Sequence, residues 1–268
     1  MPSPLMQSVL AIAQQAGEYL IDFYAKSVQV QIKSDNTPVT EADLFLSQFL
    51  TEQLQRLIPN TPVLSEENCN IPLSTRQQWQ RYWLIDPLDG TQQFLNRTDQ
   101  FSIIIALVEN HIPILGVIYA PILQTCYYAQ QGKGAFKQTP QNRQRLAQRQ
   151  LDLTLPIRCV VGATSHRKKI QAFFSPRFSY AFQVYGSSGL KSAMVAEGTA
   201  DCYIRLGNTG EWDTAASEIL LAETNSYIVD TQFRPLTYNQ RESLVNPHFA
   251  MCADKQQNWD KIFTFNSQ

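Results

Sequence analysis

The sequence predicts a mixed α/β (α+β) protein in which helices and strands alternate in two layered halves. Apolar residues recur at helical spacing in residues 5–23 and again in residues 45–57. The run 101–108 is apolar at almost every position, which is typical of a strand buried on both faces. With 268 residues, of which 44% are hydrophobic, the chain is long enough for one large domain or two smaller ones.

In the first half, spacing and turn residues locate each element. The helix over 5–23 precedes a predicted strand over 28–33 and a turn at 35–38. Thr40 is the expected N-cap of a second helix, which ends before Pro59. The remaining elements are strands at 63–65 and 82–85, a helix start at 92–95, strands at 101–108, 114–119 and 125–129, and a hairpin turn at 131–134.

The polar run 141–150 interrupts this pattern, and it is the predicted junction between two domains. The N-terminal α+β domain would cover residues 1–145 and the C-terminal α/β domain residues 146–268. Alternating strand and helix signals continue beyond the junction at 159–163, 167–174, 180–185, 188–197, 200–205, 213–222, 227–229 and 250–252.

Composition excludes several classes of protein. A net charge of −1 argues against a nucleic-acid-binding surface, which would be basic. No apolar stretch is long enough for a transmembrane helix, and the first residues do not resemble a secretory signal. We therefore predict a cytoplasmic location, and leave open a peripheral attachment to the cytoplasmic face of the inner membrane. Five dispersed cysteines and three histidines form no zinc-ligand pattern.

The most informative segment is Asp86-Pro87-Leu88-Asp89-Gly90-Thr91. Two carboxylates three residues apart at the end of a buried strand raise each other's pKa unless a positive charge lies between them. Mg²⁺ prefers carboxylate and carbonyl oxygens, so the Leu88 carbonyl is a further candidate ligand. The alternative is a plain Asp-Gly turn in which Asp86 caps the following helix.

Gly90 and Thr91 predict an anion site beside this metal site. Gly90 lets the backbone approach a ligand closely, and Thr91 adds a hydroxyl group. The free N–H groups in the first turn of the next helix would attract a phosphate.

Other acids also stand at the edges of predicted elements. Glu66 and Glu67 follow a short strand, Asp43 lies in the first turn of the second helix, and Asp213 stands at a helix start. Each also has a structural explanation. Asp43 could complete a capping box with Thr40, and Asp213 could favour the helix dipole.

Four motifs together resemble the inositol monophosphatase superfamily: residues 39–43, 65–67, 83–91 and 211–216. Within it, residues 195–201 and 211–216 are most similar to the bacterial 3′(2′),5′-bisphosphate nucleotidases. The resemblance implies a layered αβαβα sandwich. It also implies Li⁺-sensitive hydrolysis of adenosine 3′,5′-bisphosphate to AMP and phosphate, with two or three Mg²⁺ ions per site.

The resemblance also implies roles for individual residues. Glu66, Asp86 and the Leu88 carbonyl would hold one Mg²⁺, and Asp86, Asp89 and Asp213 would hold a second. Asp43 and Thr91, with Glu66 close by, match the catalytic residues that polarise the attacking water. The residues expected to contact substrate are Glu66, Leu88, Asp89, Gly90, Thr91, Ser187, Ser188, Lys191 and Asp213.

Substrate selection rests on two segments. In Gly186-Ser187-Ser188-Gly189-Leu190-Lys191, the two serines and the lysine are candidate contacts for ribose and phosphate, and Gly189 stands where these nucleotidases have a second serine. The alternative is a helix cap followed by a solvated lysine. His166 and Arg167 could attract the second phosphate, although a solvated basic run explains them as well.

Other functions remain open at this stage. The same scaffold could serve an inositol-1-phosphate or sugar monophosphatase, and a remote alternative is a non-catalytic nucleotide-binding protein. Homodimerisation, frequent in the superfamily, is also left open. Asp89→Asn is expected to abolish most turnover while leaving the fold intact.

Overall fold

The computed structural model describes residues 2–26, 29–32, 38–147 and 150–265. Its helices are α1 (Pro4–Tyr24), α2 (Glu41–Leu57), α3 (Leu73–Arg76), α4 (Thr91–Leu95), α5 (Thr164–Gln171), α6 (Ser188–Glu197) and α7 (Ala215–Ala222). Two 3-10 turns cover Glu211–Asp213 and Trp259–Lys261. The strands of the first half are β1 (Val30–Ile32), β2 (Pro38–Thr40), β3 (Val63–Ser65), β4 (Arg81–Asp89), β5 (Ser102–Glu109), β6 (Ile112–Ala120), β7 (Thr125–Gln130), β8 (Gly134–Gln138) and β9 (Arg143–Arg145). Those of the second half are β10 (Ile157–Val161), β11 (Tyr180–Val184), β12 (Cys202–Arg205), β13 (Tyr227–Asp230) and β14 (Phe249–Cys252).

The strands form two large sheets and one small one. The seven-stranded sheet runs from β3 to β9 in chain order, and only the β3–β4 pair in it is parallel. The five-stranded sheet has the order β11-β10-β12-β14-β13, with β10 parallel to both of its neighbours. Strands β1 and β2 form a separate antiparallel pair just before α2.

Alternating side chains of β5 show how the layers stack. Ile103 and Ile105 belong to the core cluster under α1 and α2, whereas Ile104 and Ala106 belong to the cluster that contains α6 and α7. That second cluster extends to one face of the five-stranded sheet, and the other face packs against α5 and the turn at Trp259. The layer order is therefore αβαβα, which confirms the predicted fold class.

Most predicted elements are present, with differences at their ends. The Thr40 capping box begins α2 as predicted. Strand β1 covers only part of the predicted 28–33. Residues 28 and 33 lie outside the described residues, as do residues 35–37 of the predicted turn at 35–38, and Pro38 begins β2. Asp213 does not begin a helix: it ends a 3-10 turn, and α7 starts two residues later at Ala215.

The polar run 141–150 contains a strand that the sequence did not indicate. Strand β9 pairs with β8 at the edge of the seven-stranded sheet, and all three of its residues are exposed. An edge strand solvated on both faces shows no alternation of apolar residues, so its sequence resembles a loop. The chain passes between the sheets after β9, while the division into two domains stays a prediction. Among the described helices, none is both long and apolar enough to cross a bilayer.

Helix α7 packs directly on β6 at Gly116, and this contact helps to position the segment that carries Asp213. A Cβ atom at Gly116 would lie 2.7 Å from the Ala216 carbonyl oxygen and 2.8 Å from its Cα. Both atoms belong to the backbone, so an added methyl group would displace the helix.

Gly116→Ala is therefore expected to lower the free energy of unfolding by about 1–3 kcal/mol, because overpacking a rigid contact is costly. Urea unfolding followed by circular dichroism measures the change. Gly207→Ala is the control, since its Cβ would clear its neighbours by 3.5 Å. An unaltered urea midpoint for Gly116→Ala would contradict this packing argument.

Candidate active site

The two aspartates of β4 meet because the strand carries a bulge. In a regular strand, residues three apart project from opposite faces. Here Asp86 pairs with Ile104 of β5, whereas Asp89 pairs with Ser102. Three steps along β4 thus match two steps along β5, and the extra residue brings the two carboxylates to one side.

Asp213 joins this pair from a distant part of the chain. Its Oδ2 atom accepts a hydrogen bond from the Gly210 N–H at 2.7 Å, which closes the 3-10 turn. One carboxylate oxygen from each of Asp86, Asp89 and Asp213 lies within 4.8 Å of the others. The structure therefore brings together the three acids that the sequence assigned to one ion.

Burial and mutual repulsion make this cluster unfavourable without a cation. Burial, the largest cause, raises the pKa of Asp86 and of Asp213 well above the usual range. After burial, the charges of neighbouring acids are the next causes. The pKa of Asp86 is raised most by Glu66 and then by Asp89, and the pKa of Asp213 is raised most by Asp89 and then by Glu66. Glu66 thus acts on both aspartates, and its N–H donates to the Ile85 carbonyl oxygen at 3.1 Å, which continues the β3–β4 pairing.

Asp43 has a structural contact on one oxygen and a contact within the site on the other. Its Oδ2 atom accepts hydrogen bonds from the Thr40 N–H at 2.7 Å and the Thr40 hydroxyl at 2.6 Å. Its Oδ1 atom accepts one from the Thr91 hydroxyl at 3.3 Å, and that hydroxyl also lies 3.3 Å from the Leu88 carbonyl oxygen. The capping role and the predicted catalytic role are therefore compatible.

Gly90 allows the sharp change from β4 to α4. Its φ of 94° lies in the left-handed region that favours glycine, and a Cβ atom there would lie 3.2 Å from the Gln100 carbonyl oxygen. Helix α4 begins at the next residue, Thr91, so its first N–H groups start beside the acidic cluster.

The two serines that are predicted to contact substrate contact Asp89 in the structure. The Ser187 hydroxyl donates to Asp89 Oδ2, and the backbone N–H groups of Ser188 and Gly189 donate to its two oxygens at 2.9 and 2.8 Å. The Ser102 hydroxyl adds a further hydrogen bond at 3.1 Å. Asp89 therefore binds the N-terminus of α6 in addition to facing the acidic cluster.

The structure gives Gly189 and Lys191 environments that the sequence did not predict. A Cβ atom at Gly189 would lie 2.9 Å from Ile104 Cδ1 and 3.0 Å from Ile118 Cγ2, so this glycine lets α6 pack against the sheet. The alternative of a solvated lysine is wrong, because Lys191 is only 3% exposed. Its Nζ atom donates to the Ser187 carbonyl oxygen at 2.6 Å.

A cavity of about 290 Å³ lies close to α6, and Tyr203 both lines the cavity and contacts the helix. The Tyr203 hydroxyl lies 3.5 Å from the Ser188 hydroxyl, and the Lys191 ammonium group lies 5.0 Å from the centre of the Tyr203 ring. The residues that line the cavity are Gly162, His166, Lys169, Ile170, Tyr203, Ile204, Arg205, Leu206 and Gly207.

The cavity has a basic wall, and the sequence indicated only part of it. His166 lines it as suggested, whereas the Arg167 guanidinium lies 5.1 Å from the centre of the Phe182 ring. Lys169 belongs to the same basic run as His166 but was not singled out, and Arg205 was missed. For Arg205, a signal existed: like Asp86, it stands at the end of an apolar strand. The Arg205 Nε atom is buried and has no hydrogen-bond partner among the described residues.

The acidic cluster suits a hard divalent cation such as Mg²⁺. Its donors are all oxygen atoms, which Mg²⁺ prefers over the nitrogen and sulfur donors of zinc sites. Burial and the neighbouring acids raise the pKa of Asp86 and of Asp213, and the charge of Arg205 only partly opposes the shift at Asp213, so a cation would stabilise the ionised carboxylates.

Comparison with known proteins yields close relatives along nearly the whole chain. The 3′(2′),5′-bisphosphate nucleotidase CysQ of Aggregatibacter actinomycetemcomitans is 57% identical over 262 residues, covering 98% of this chain and 97% of the relative. The CysQ protein of Haemophilus influenzae is 56% identical over the same shares of both chains. That of Escherichia coli K12 is 39% identical over 250 residues, with 92% and 99% covered.

Solved structures agree with the fold. CysQ from Bacteroides thetaiotaomicron superposes with a TM-score of 0.76 at 29% identity, covering 93% of this chain and 97% of that one. The model of the inositol monophosphatase family matches residues 1–260. The chain therefore belongs to the inositol monophosphatase family.

Proposed function

We propose that this protein is a Mg²⁺-dependent phosphate monoester hydrolase that converts adenosine 3′,5′-bisphosphate to AMP and phosphate. The observation that carries the proposal is the Asp86–Asp89–Asp213 cluster, which Ser188 and Tyr203 connect to a cavity with a basic wall. Full-length relatives named as bisphosphate nucleotidases, at up to 57% identity, support the same substrate. The cytoplasmic location, membrane attachment and homodimerisation stay predictions.

Two or three Mg²⁺ ions are proposed to bind the acidic cluster. Glu66, Asp86 and the Leu88 carbonyl would hold one ion, and Asp86, Asp89 and Asp213 a second. Mg²⁺ bound there would lower the pKa of a coordinated water and neutralise phosphate oxygens.

Asp43 and Thr91 are proposed to orient the attacking water. Because Asp43 Oδ2 is occupied by Thr40, only Oδ1 faces the Thr91 hydroxyl. When that hydroxyl donates its hydrogen bond to Asp43, its oxygen can accept a hydrogen bond from the water and align the water's lone pair with phosphorus. The backbone at Gly90 and Thr91 is proposed to bind the oxygens of the scissile phosphate.

The basic cavity would take the second phosphate of the substrate. His166, Lys169 and Arg205 line it, and the buried Arg205 Nε is an unused donor for an anion. Inositol 1-phosphate has one phosphate only and could not use this wall. The wall therefore favours a bisphosphate over an inositol or sugar monophosphate.

A panel of phosphate-release assays tests the proposal. Purified protein is given adenosine 3′,5′-bisphosphate, inositol 1-phosphate and a sugar phosphate, each with Mg²⁺ and with a chelator. We expect Mg²⁺-dependent release with the highest kcat/KM for the bisphosphate. Preference for inositol 1-phosphate would replace the proposed substrate, and release from no substrate would favour a non-catalytic binding protein.

Lys191 gives a pH-dependent test of substrate recognition. Burial lowers the pKa of this lysine to about 8, although the charge of Asp89 partly opposes the shift. As the pH rises through this value the lysine loses its charge, so KM for the bisphosphate should increase.

Lys191→Met should remove that increase in KM between pH 7 and pH 9, as measured by steady-state kinetics. Lys255→Met, at an exposed lysine that does not line the cavity, is the control and should keep it. An identical rise of KM in wild type and Lys191→Met would rule out Lys191 as its source.

A further inference from the structure

The turn that carries Asp213 is bound along its length by the segment 239–246. Gly210 and Val245 form a β-bridge, and the Glu211 N–H donates to the Leu244 carbonyl oxygen at 2.9 Å. The Asn246 side-chain amide donates to the Gly210 carbonyl oxygen at 2.6 Å. Asp213 therefore projects from a turn whose position depends on this segment.

The Glu211 side chain makes a second connection to the same segment. It is completely buried, and its Oε2 atom accepts a hydrogen bond from the Asn239 N–H at 2.7 Å. Its Oε1 atom lies 3.3 Å from Arg241 Nη2, forming an ion pair with a side chain that is 35% exposed. A buried carboxylate requires such partners, and it retains a fixed position while they remain.

Arg76 fixes the segment from the other half of the chain. The Arg76 guanidinium is buried, and it donates to Asn239 Oδ1 at 2.6 Å and to the Glu242 carbonyl oxygen at 2.8 Å. In return, the Asn239 side-chain amide donates to the Arg76 carbonyl oxygen at 2.7 Å. The contacts thus run from Arg76 through Asn239 to Glu211, two residues before Asp213.

We infer that Glu211 is a positioning residue whose carboxylate holds the 210–214 turn so that Asp213 faces Asp86 and Asp89. The inference rests on the proposed function, in which these three acids bind Mg²⁺. Nothing in the sequence indicated that Glu211 is buried. Its role is indirect, because its own oxygens are occupied by Asn239 and Arg241.

Glu211→Gln tests the inference with little change in shape. The glutamine oxygen can still accept from Asn239, but its NH₂ group would face the Arg241 guanidinium, donor against donor. Calorimetric titration with Mg²⁺ alone should give a dissociation constant raised by about tenfold, which is typical when a group that orients a metal ligand is lost. The Mg²⁺ concentration for half-maximal turnover should rise in parallel, while KM for the bisphosphate changes less.

Glu223→Gln is the matched control. Glu223 accepts hydrogen bonds from the Gly132 and Gly134 N–H groups at 2.7 Å each, at a hairpin turn outside the 210–214 turn and its supporting segment. It should therefore bind Mg²⁺ like the wild type, even if its melting temperature falls as far as that of Glu211→Gln.

Wild-type Mg²⁺ affinity in folded Glu211→Gln would overturn the inference. Should that variant fail to fold, Arg241→Met, which removes the partly exposed member of the pair, decides instead: weaker Mg²⁺ binding supports the inference and unchanged binding overturns it. A wild type that binds Mg²⁺ but releases no phosphate from the bisphosphate would contradict the proposed function alone, since the positioning claim is read from Mg²⁺ affinity.

Discussion

Asp86→Asn is expected to lower turnover by roughly 10³-fold, which corresponds to an activation free energy higher by about 4 kcal/mol. The same variant should make the metal-free protein more stable. The loss follows because Asp86 is proposed to contact both ions. The gain follows because burial and the charges of Glu66 and Asp89 act against the ionised carboxylate. Phosphate release and thermal unfolding in chelator measure the two effects.

The stability gain should depend on pH in a defined direction. The folded-state pKa of Asp86 lies above its ordinary value of 3.8. This carboxyl therefore contributes stability that is fully present below that value and is lost as the pH rises through the folded-state pKa. The variant should exceed the metal-free wild type by more at pH 8 than at pH 4. A variant that is less stable at both pH values would contradict the repulsion argument.

Asp89→Asn is expected to lose both turnover and stability, in contrast to Asp86→Asn. An asparagine offers one acceptor oxygen, whereas Asp89 accepts from the backbone of Ser188 and Gly189 through two. At least one N–H at the start of α6 would lose its partner, at a cost of about 1–3 kcal/mol. Turnover should fall by a factor similar to that for Asp86→Asn.

Both variants lose one carboxylate of the same cluster. A difference between their urea midpoints without metal therefore measures the contacts of Asp89 to α6. This expectation replaces the simpler one from sequence, in which Asp89→Asn left the fold intact. If Asp89→Asn matched Asp86→Asn in its urea midpoint, the contacts to α6 would not contribute to stability.

The main elements and the acidic residues could be predicted because local sequence patterns indicate them. The apolar repeat of α1, the Thr40 cap and the apolar run of β5 depend on nearby residues only. The Asp86–Thr91 segment was recognisable because two acids at a strand end require a physical explanation. The meeting of Asp86, Asp89 and Asp213 followed from the resemblance and not from local spacing.

The differences arise where distant residues decide the local structure. Strand β9 exists because β8 offers it a partner, and Gly189 reflects the proximity of Ile104 and Ile118. The burial of Lys191 is equally a tertiary effect, since its sequence context gives no sign of Tyr203. Arg205 ends a strand that the sequence predicts, but the sequence does not show that this strand end and α5 border the same cavity.

A crystal soaked with Mn²⁺ and inorganic phosphate tests the central claim most directly, because Mn²⁺ can replace Mg²⁺ at oxygen donors and scatters anomalously. We predict an anomalous peak roughly 2.1 Å from carboxylate oxygens of Asp86, Asp89 and Asp213, with phosphate density next to the Gly90 and Thr91 backbone. Ordered phosphate elsewhere, with no metal peak among these three acids, would contradict the account.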